Sequence, residues 1–190
     1  KSGSLSRNIH TSGFVVGADR RRGDDIMHGY AFQFGTENID IIPSRSGIFA
    51  KTYSLSMYGT KLIESHFFTN AILGISHIDL DTKREEKNNI LEGSRNGNQI
   101  YGTINLGKRI NTDNYNFSPN IKFDLGYTRL DEYEEENEFG TTTDALLFKK
   151  HEIVTGLGTV GLLLDKTIRQ YEDRIINHTG RFEYIIDFSP

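Results

Sequence analysis

The sequence contains no cysteine, only three prolines among 190 residues, and no apolar run near the roughly 18 residues that a membrane-spanning helix needs. The absence of cysteine excludes a disulfide framework, a zinc–thiolate site and thiol catalysis. The missing apolar run excludes a helical membrane protein. Lysine and arginine number 22 against 26 aspartates and glutamates, a net charge of −4, so a basic nucleic-acid-binding surface and a nucleic-acid partner are not expected.

Glycine and aromatic residues, by contrast, are abundant. Glycine accounts for 19 of 190 residues, with 12 phenylalanines and 9 tyrosines. Aromatic side chains and a scarcity of proline favour β-strands. Residues 120–128 show this most clearly, because Ile121, Phe123, Leu125 and Tyr127 alternate with polar residues and glycine. A period of two residues predicts a strand with one apolar and one polar face.

Eight segments of this kind are predicted to be strands. They cover residues 13–20, 26–34, 48–58, 67–77, 98–109, 117–129, 147–163 and 181–188. Most of these strands are long enough to cross a bilayer, which takes about 9 to 11 residues for a tilted strand. The usual strand of a soluble protein has about 5 or 6 residues. The side chains on the polar faces of these strands are too small and too polar to fill a dry barrel interior. The predicted fold class is therefore all-β, an antiparallel up-and-down transmembrane β-barrel.

Alternation also assigns each side chain to a face of this barrel. The side chains expected to face outward are Tyr30, Phe32, Ile104, Leu106, Phe123, Leu125, Tyr184 and Ile186. The candidates for an interfacial aromatic girdle are Tyr30, Tyr53, Tyr127 and Tyr184. Gln33 and Asn105 are expected to face inward, together with the charged lumen candidates Asp19, Arg109, Lys122, Asp124, Arg181, Glu183 and Asp187. Small inward residues are expected to leave room in the lumen: Gly29, Ala31, Ser54, Ser56, Gly74, Gly126 and Thr128.

The connections predict an orientation. Short connections at 21–25, 59–66 and 110–116 are assigned to the periplasm, and long ones at 35–47, 78–97 and 130–146 to the outside. The segment 164–180 should be short and is not, unless Ile168, Tyr171, Ile175 and Ile176 extend the flanking strands. This parity places both termini outside, whereas single-chain barrels begin and end in the periplasm. The first and last strands are therefore expected not to pair, and residues 1–190 to be a single barrel domain that is incomplete at both ends.

Several short motifs resemble one family, the C-terminal β-domain of autotransporters (type V secretion). They are Gly17-Ala18-Asp19 and Gly29-Tyr30; Tyr58-Gly59; Leu73-Gly74 running to Ser76, then Asp79 and Arg84; Gly102 and Gly107; and Pro119 leading to Leu125-Gly126-Tyr127, with Glu135 beyond. The resemblance covers roughly residues 12–188 and is carried by the order and spacing of the motifs.

The resemblance implies a twelve-stranded translocator barrel in the Gram-negative outer membrane, of which about eight strands are present here. Such a barrel holds a linker helix in its lumen and exports an N-terminal passenger. The implied partners are outer-membrane lipid, lipopolysaccharide, the chain's own passenger segment and the barrel assembly machinery. The charged lumen candidates either pair across a water-filled interior or contact the linker or passenger. No cofactor, metal or catalytic residue is implied.

Two alternatives stay open at this stage. One is a complete small outer-membrane barrel with a structural, adhesive or lipid-modifying role, although no Ser/His or paired-carboxylate constellation is evident. The other is a soluble lipocalin-like barrel with its aromatic face turned inward. The acidic run at 131–138 is expected to be a solvated loop, with cation bridging to lipopolysaccharide as the alternative.

Overall fold

A single curved antiparallel sheet forms the body of the molecule. The computed structural model describes residues 6–42, 44–63, 66–86, 89–112, 115–137, 145–171 and 174–190. Its eight long strands, numbered here in chain order, are β1 Ser6–Arg22, β2 Ile26–Ile42, β3 Ser46–Ile63, β4 Phe67–Glu86, β5 Asn89–Lys108, β6 Asn116–Leu130, β7 His151–Tyr171 and β8 Arg174–Asp187. The shorter strands are Ile110–Asn111, Tyr133–Glu134, Glu136–Asn137 and Leu147–Phe148. The described residues contain no helix long and apolar enough to cross a membrane.

Each long strand pairs with its neighbour in sequence, so the topology is up-and-down. The first hairpin turns tightly at Gly23, whose φ of 69° is a conformation that side chains disfavour. Along the whole sheet β1 and β8 are the two edges, and no pairing joins them among the described residues. This confirms that the eight predicted strands do not close on one another.

All eight predicted strands are present, but most are longer than the apolar alternation indicated. Segments 35–47 and 78–97, predicted as long loops, are mostly strand, because β2 and β3 run to within three residues of each other and β4 and β5 to within two. Charged and polar side chains replace the apolar ones on most of the convex face there, and Ile39, Ile78 and Leu80 lie on the concave face, so the apolar signal of the convex face ends while the backbone ladder continues. The alternation of short and long connections is therefore wrong at those two positions, and only 131–150 stays long.

Strand extension also resolves the segment 164–180. β7 and β8 continue through it in register, with Asp165 opposite Thr179 and Ile168 opposite Ile176, and a register irregularity lies between Arg169 and Tyr171. The extension expected from the isoleucines is confirmed.

The sheet buries very little of its own apolar surface. Leu91 and Leu130 are the buried hydrophobic side chains of the described residues, whereas Phe123 is 45% and Leu125 57% exposed. A single layer with this much exposed apolar area needs another apolar phase against it. The hydrogen-bond ladder holds the sheet together, and lipid is the environment that its apolar face fits.

Candidate functional site: the polar concave face

Register places every second residue of each strand on a common face. Ala31 pairs with Ser56 and Gln33 with Ser54, and Ser54 pairs in turn with Ser76. On the other half of the sheet, Asn105 pairs with Lys122 and Thr103 with Asp124. Apart from Gln33, which is exposed, these side chains are less exposed than the larger apolar ones on the opposite face, and Ser54 and Ser76 are each only 7% exposed. Side chains converge on the inside of a curved sheet, so the polar face is the concave one.

The strand register groups the side chains into two faces in the way that the alternation predicts. The register puts Tyr30, Phe32, Ile104, Leu106, Phe123, Leu125, Tyr184 and Ile186 together on the convex face, and Gln33, Asn105, Lys122, Asp124 and Glu183 on the concave face. A lipocalin-like barrel would need the reverse curvature, with the aromatic face inside. That alternative is wrong for this chain.

The apolar band on the convex face has the height of a membrane. On β3, Lys51 and Lys61 lie on this face and bracket Tyr53, Leu55 and Met57. Ten residue steps of about 3.3 Å, tilted by about 40°, give a band roughly 25 Å tall, the height expected of an outer-membrane barrel. Aromatic rings gather towards the Lys51 end, where Phe34 lies 5.2 Å from Tyr53 and 5.8 Å from Phe14 between ring centroids.

The charged lumen candidates do not form one cluster. Lys122 and Asp124 are together, with Nζ 3.0 Å from Oδ2, and Thr103 donates a hydrogen bond of 2.7 Å to the other oxygen of Asp124. Asp19 lies near the far edge, where the Tyr58 hydroxyl is 3.5 Å from its carboxylate. The concave face therefore carries separate small polar contacts.

The remaining candidates lie near the ends of strands. Arg181, Glu183 and Asp187 lie along one face of β8, opposite Leu163, Gly161 and Leu157. Arg109 lies just beyond β5, with its guanidinium 5.7 Å from the ring centroid of Phe68. That all these groups line a closed lumen stays a prediction.

Aromatic side chains on the concave face lie flat over glycines, a feature that the sequence reasoning missed. Tyr58 is directly opposite Gly29 in register, and Tyr101 is opposite Gly74. A Cβ built on Gly29 would lie 2.7 Å from the Tyr58 ring, and one on Gly74 would collide with the Tyr101 ring. The rings of Tyr58 and Tyr101 therefore occupy the space that a side chain at Gly29 or Gly74 would need, so these glycines do not leave empty space in the lumen. The signal was the glycine opposite an aromatic residue, which becomes visible only once the strand register is known.

The long connection 131–150 holds the other feature that was missed. Glu135 belongs to the acidic run that was expected to be solvated, yet it is only 2% exposed. Arg84 of β4 binds it through Nη2–Oε2 at 2.6 Å and Nε–Oε1 at 3.1 Å. This contact and the backbone N–H of Leu146, which donates to the same carboxylate, keep the Glu135 pKa below its ordinary value against the opposing effect of burial. The description of the whole run as a solvated loop is wrong at Glu135.

No group of three or more histidine, aspartate or glutamate side chains that could hold a metal ion occurs in the described part of the chain. What the concave face offers is a wide, mixed-charge, hydrogen-bonding surface.

The family follows from the match over the entire length of the chain. Residues 1–190 match the model of the autotransporter β-domain. The chain belongs to this family. The resemblance seen in the motifs is thereby confirmed, and the all-β antiparallel architecture agrees with it.

Solved structures show the same fold at low sequence identity. The translocator domain of the autotransporter NalP from Neisseria meningitidis is similar with a TM-score of 0.78 and 14% identity, over 96% of this chain and 62% of that one. The β-domain of the Bordetella autotransporter BrkA is similar with a TM-score of 0.68 and 14% identity, over 97% and 74%. The copper transporter OprC shares the sheet more loosely, with a TM-score of 0.52 and 8% identity over 94% and 34%. No curated protein matches the sequence.

This autotransporter β-domain thus spans less than two thirds of the NalP domain that it resembles. An identity of 14% to the NalP domain shows a shared fold. The activity of this protein depends on the residues of its own surfaces.

Proposed function

We propose that this chain forms the greater part of an outer-membrane translocator barrel that carries its own N-terminal passenger to the surface of a Gram-negative cell. The observation that supports this most is the division of one curved sheet into an apolar convex band of membrane height and a polar concave face, in a member of the autotransporter β-domain family. Export of this kind requires a path and no catalytic residue.

The unpaired edges support a larger barrel than the eight described long strands. An edge strand in lipid leaves N–H and C=O groups without partners, at several kcal/mol for each group. Additional strands against β1 and β8 would remove both edges. We propose that the complete barrel has twelve strands, inserted by the barrel assembly machinery, and that its charged outer hairpins contact lipopolysaccharide.

The size of the lumen supports the same number. Strands about 4.8 Å apart and tilted by about 40° enclose a wall roughly 24 Å across with twelve strands and roughly 16 Å with eight. Side chains of about 6 Å on each wall leave roughly 12 Å and 4 Å. A helix with its side chains is about 10 to 12 Å across, so it passes the larger barrel only.

The test places bulk on the proposed path. Ser56 and Gly126 lie on the concave face, and their neighbours Leu55 and Leu125 lie on the convex face. In the full-length protein, Ser56→Trp combined with Gly126→Trp is expected to reduce passenger display on intact cells more than tenfold, while the folded barrel still shows heat-modifiable migration in gels. The matched control, Leu55→Trp with Leu125→Trp, is expected to leave display unchanged. Normal display in the concave variant would mean that this face does not line the export path.

A further inference from the structure

The long connection between β6 and β7 is described along two arms, residues 131–137 and 145–150, and part of them lies against the concave face. Of its described arms, Tyr133–Glu134 pairs with Leu147–Phe148, and Glu136–Asn137 pairs with Leu91–Glu92 of β5. These arms extend from the end of the sheet where the β4–β5 hairpin also projects. That end is the outer one in the proposed export barrel.

Side-chain packing shows which face of the hairpin the connection covers. The Tyr133 ring lies directly against Gly93, where any Cβ would collide with it. Gly93 is opposite Thr82 on the concave side, and the Thr82 hydroxyl is 3.2 Å from that of Tyr133. Phe148 stacks on the other arm, with its ring centroid 4.7 Å from that of Tyr133 and the planes 2° apart. Tyr133 and Phe148 therefore lie on the concave side of the sheet, whereas Glu136–Asn137 continues the sheet itself beside β5.

The ion pair of Arg84 and Glu135 holds the connection there. Arg84 is on the concave face opposite Leu91, which is 1% exposed beneath the arms. The carboxylate of Glu135 accepts hydrogen bonds from the Arg84 guanidinium and from the Leu146 N–H, so one buried group joins β4 to both arms. A buried carboxylate left without its partner is strongly unfavourable, so the contact and the inward position depend on each other.

The adjacent residues provide an internal comparison. Lys83 and Glu92 form an ion pair of 2.6 Å on the other face of the same hairpin, one residue away from Arg84 and Leu91, and both side chains are more than half exposed. Its two charged groups meet each other, and Glu92 contacts the connection through its backbone, in register with Glu136. An exposed pair of this kind contributes little to stability.

We propose that the described arms of this connection, residues 131–137 and 145–150, form a constriction at the outer mouth of the barrel, and that Arg84 and Glu135 are the positioning residues that hold them at the concave face on the route of the exported chain. The positioning of the arms by the ion pair can be true whether or not the barrel exports a passenger. The statement that the arms lie on an export route rests on the proposed function. Loops that fold into the lumen narrow the opening of an outer-membrane barrel in this way.

The experiment measures access to Leu91 in the full-length protein. The sequence has no cysteine, so Leu91→Cys introduces a thiol whose labelling by a membrane-impermeant maleimide on intact cells can be followed, with any cysteine elsewhere in the protein replaced. In this background, labelling is expected to be slow. Glu135→Gln and Arg84→Ala are each expected to accelerate it at least tenfold, whereas Glu92→Gln and Lys83→Ala are expected to leave it unchanged.

A charge reversal separates the ion pair from general destabilisation. Arg84→Glu with Glu135→Arg is expected to be labelled several-fold more slowly than either single reversal, though faster than the unreversed protein, because an arginine at 135 cannot accept the Leu146 N–H and a glutamate at 84 faces Glu86. If Glu135→Gln is labelled no faster than Glu92→Gln, or if the double reversal is labelled as fast as the single ones, the positioning role is overturned.

A second readout tests the position on the route. Opening the constriction is expected to raise the initial rate of passenger display at least twofold in Glu135→Gln. If labelling accelerates while the display rate stays unchanged, the connection is held by the ion pair but does not lie on the route, and that part of the proposal is overturned. Export itself is scored separately by the tryptophan variants at Ser56 and Gly126.

Discussion

Neighbouring residues on β2 test the assignment of faces most sharply. Phe32 lies on the convex face opposite Leu55, and Gln33 lies on the concave face opposite Ser54. Leu55 is four residues from Lys51 and six from Lys61, which places Phe32 roughly 10 and 15 Å from the two charged borders of the apolar band along the membrane normal. Phe32→Arg therefore puts a guanidinium close to the bilayer midplane, while Gln33→Arg puts the same group into the polar interior.

The expected difference is large. A cation near the midplane of a barrel's lipid face costs about 2 to 4 kcal/mol, and loss of the Phe32 contact with Phe14, whose ring centroids are 6.2 Å apart, adds about 0.5 to 1.5 kcal/mol. Gln33→Arg is expected to cost less than about 1 kcal/mol, within the range of ordinary surface substitutions.

The assay is an equilibrium folding titration of the complete barrel in liposomes, with the folded fraction read from heat-modifiable gel migration because the sequence has no tryptophan. Equal losses of folding free energy in the two variants would refute the assignment of faces.

Two further predictions concern the features on the concave face. Gly74→Ala is expected to destabilise the barrel by about 1 to 3 kcal/mol in the same titration, because its Cβ meets the Tyr101 ring, whereas Gly102→Ala on the open convex face is expected to be neutral or slightly stabilising. A similar loss at both glycines would contradict the role of Tyr101. The lowered pKa of Glu135 means that its contacts are complete above the ordinary glutamate pKa of about 4.3 and are lost as the pH falls through the lower value of the folded state. Hydrogen exchange at the Leu146 amide, corrected for the intrinsic rate, is therefore expected to stay slow down to the ordinary glutamate pKa and to accelerate only at lower pH; protection that is unchanged after full acid titration of Glu135 would contradict this role of the carboxylate.

The strands could be predicted because their information is local. The alternation of Ile121, Phe123, Leu125 and Tyr127 with polar residues predicts a strand and its apolar face from the local sequence alone, because the pattern has a period of two. The ends of the strands could not be found in this way. Beyond Phe34 and His77 the convex face turns mostly polar and apolar residues such as Ile39 and Ile78 fall on the concave face, so the hydropathy pattern no longer distinguishes a projecting hairpin from a loop.

The contacts on the concave face depend on register between distant residues. Nothing in the local sequence joins Arg84 to Glu135, which are 51 residues apart and meet only because the connection folds inward. The same holds for Tyr101 and Gly74. The alternation therefore predicts that one face of the sheet is polar. The individual contacts on that face depend on which strands are neighbours and in which register, and these are seen only in the three-dimensional structure.

If the passenger travels along the concave face, as proposed, site-specific photocrosslinking during export detects the contact directly. A photoreactive phenylalanine derivative is placed in the full-length protein at Ser56 on the concave face or at Leu55 on the convex face, and cells are irradiated while the passenger is in transit. The account predicts crosslinks to the passenger from position 56 and none from position 55. Passenger crosslinks from position 55, with none from position 56, would contradict it.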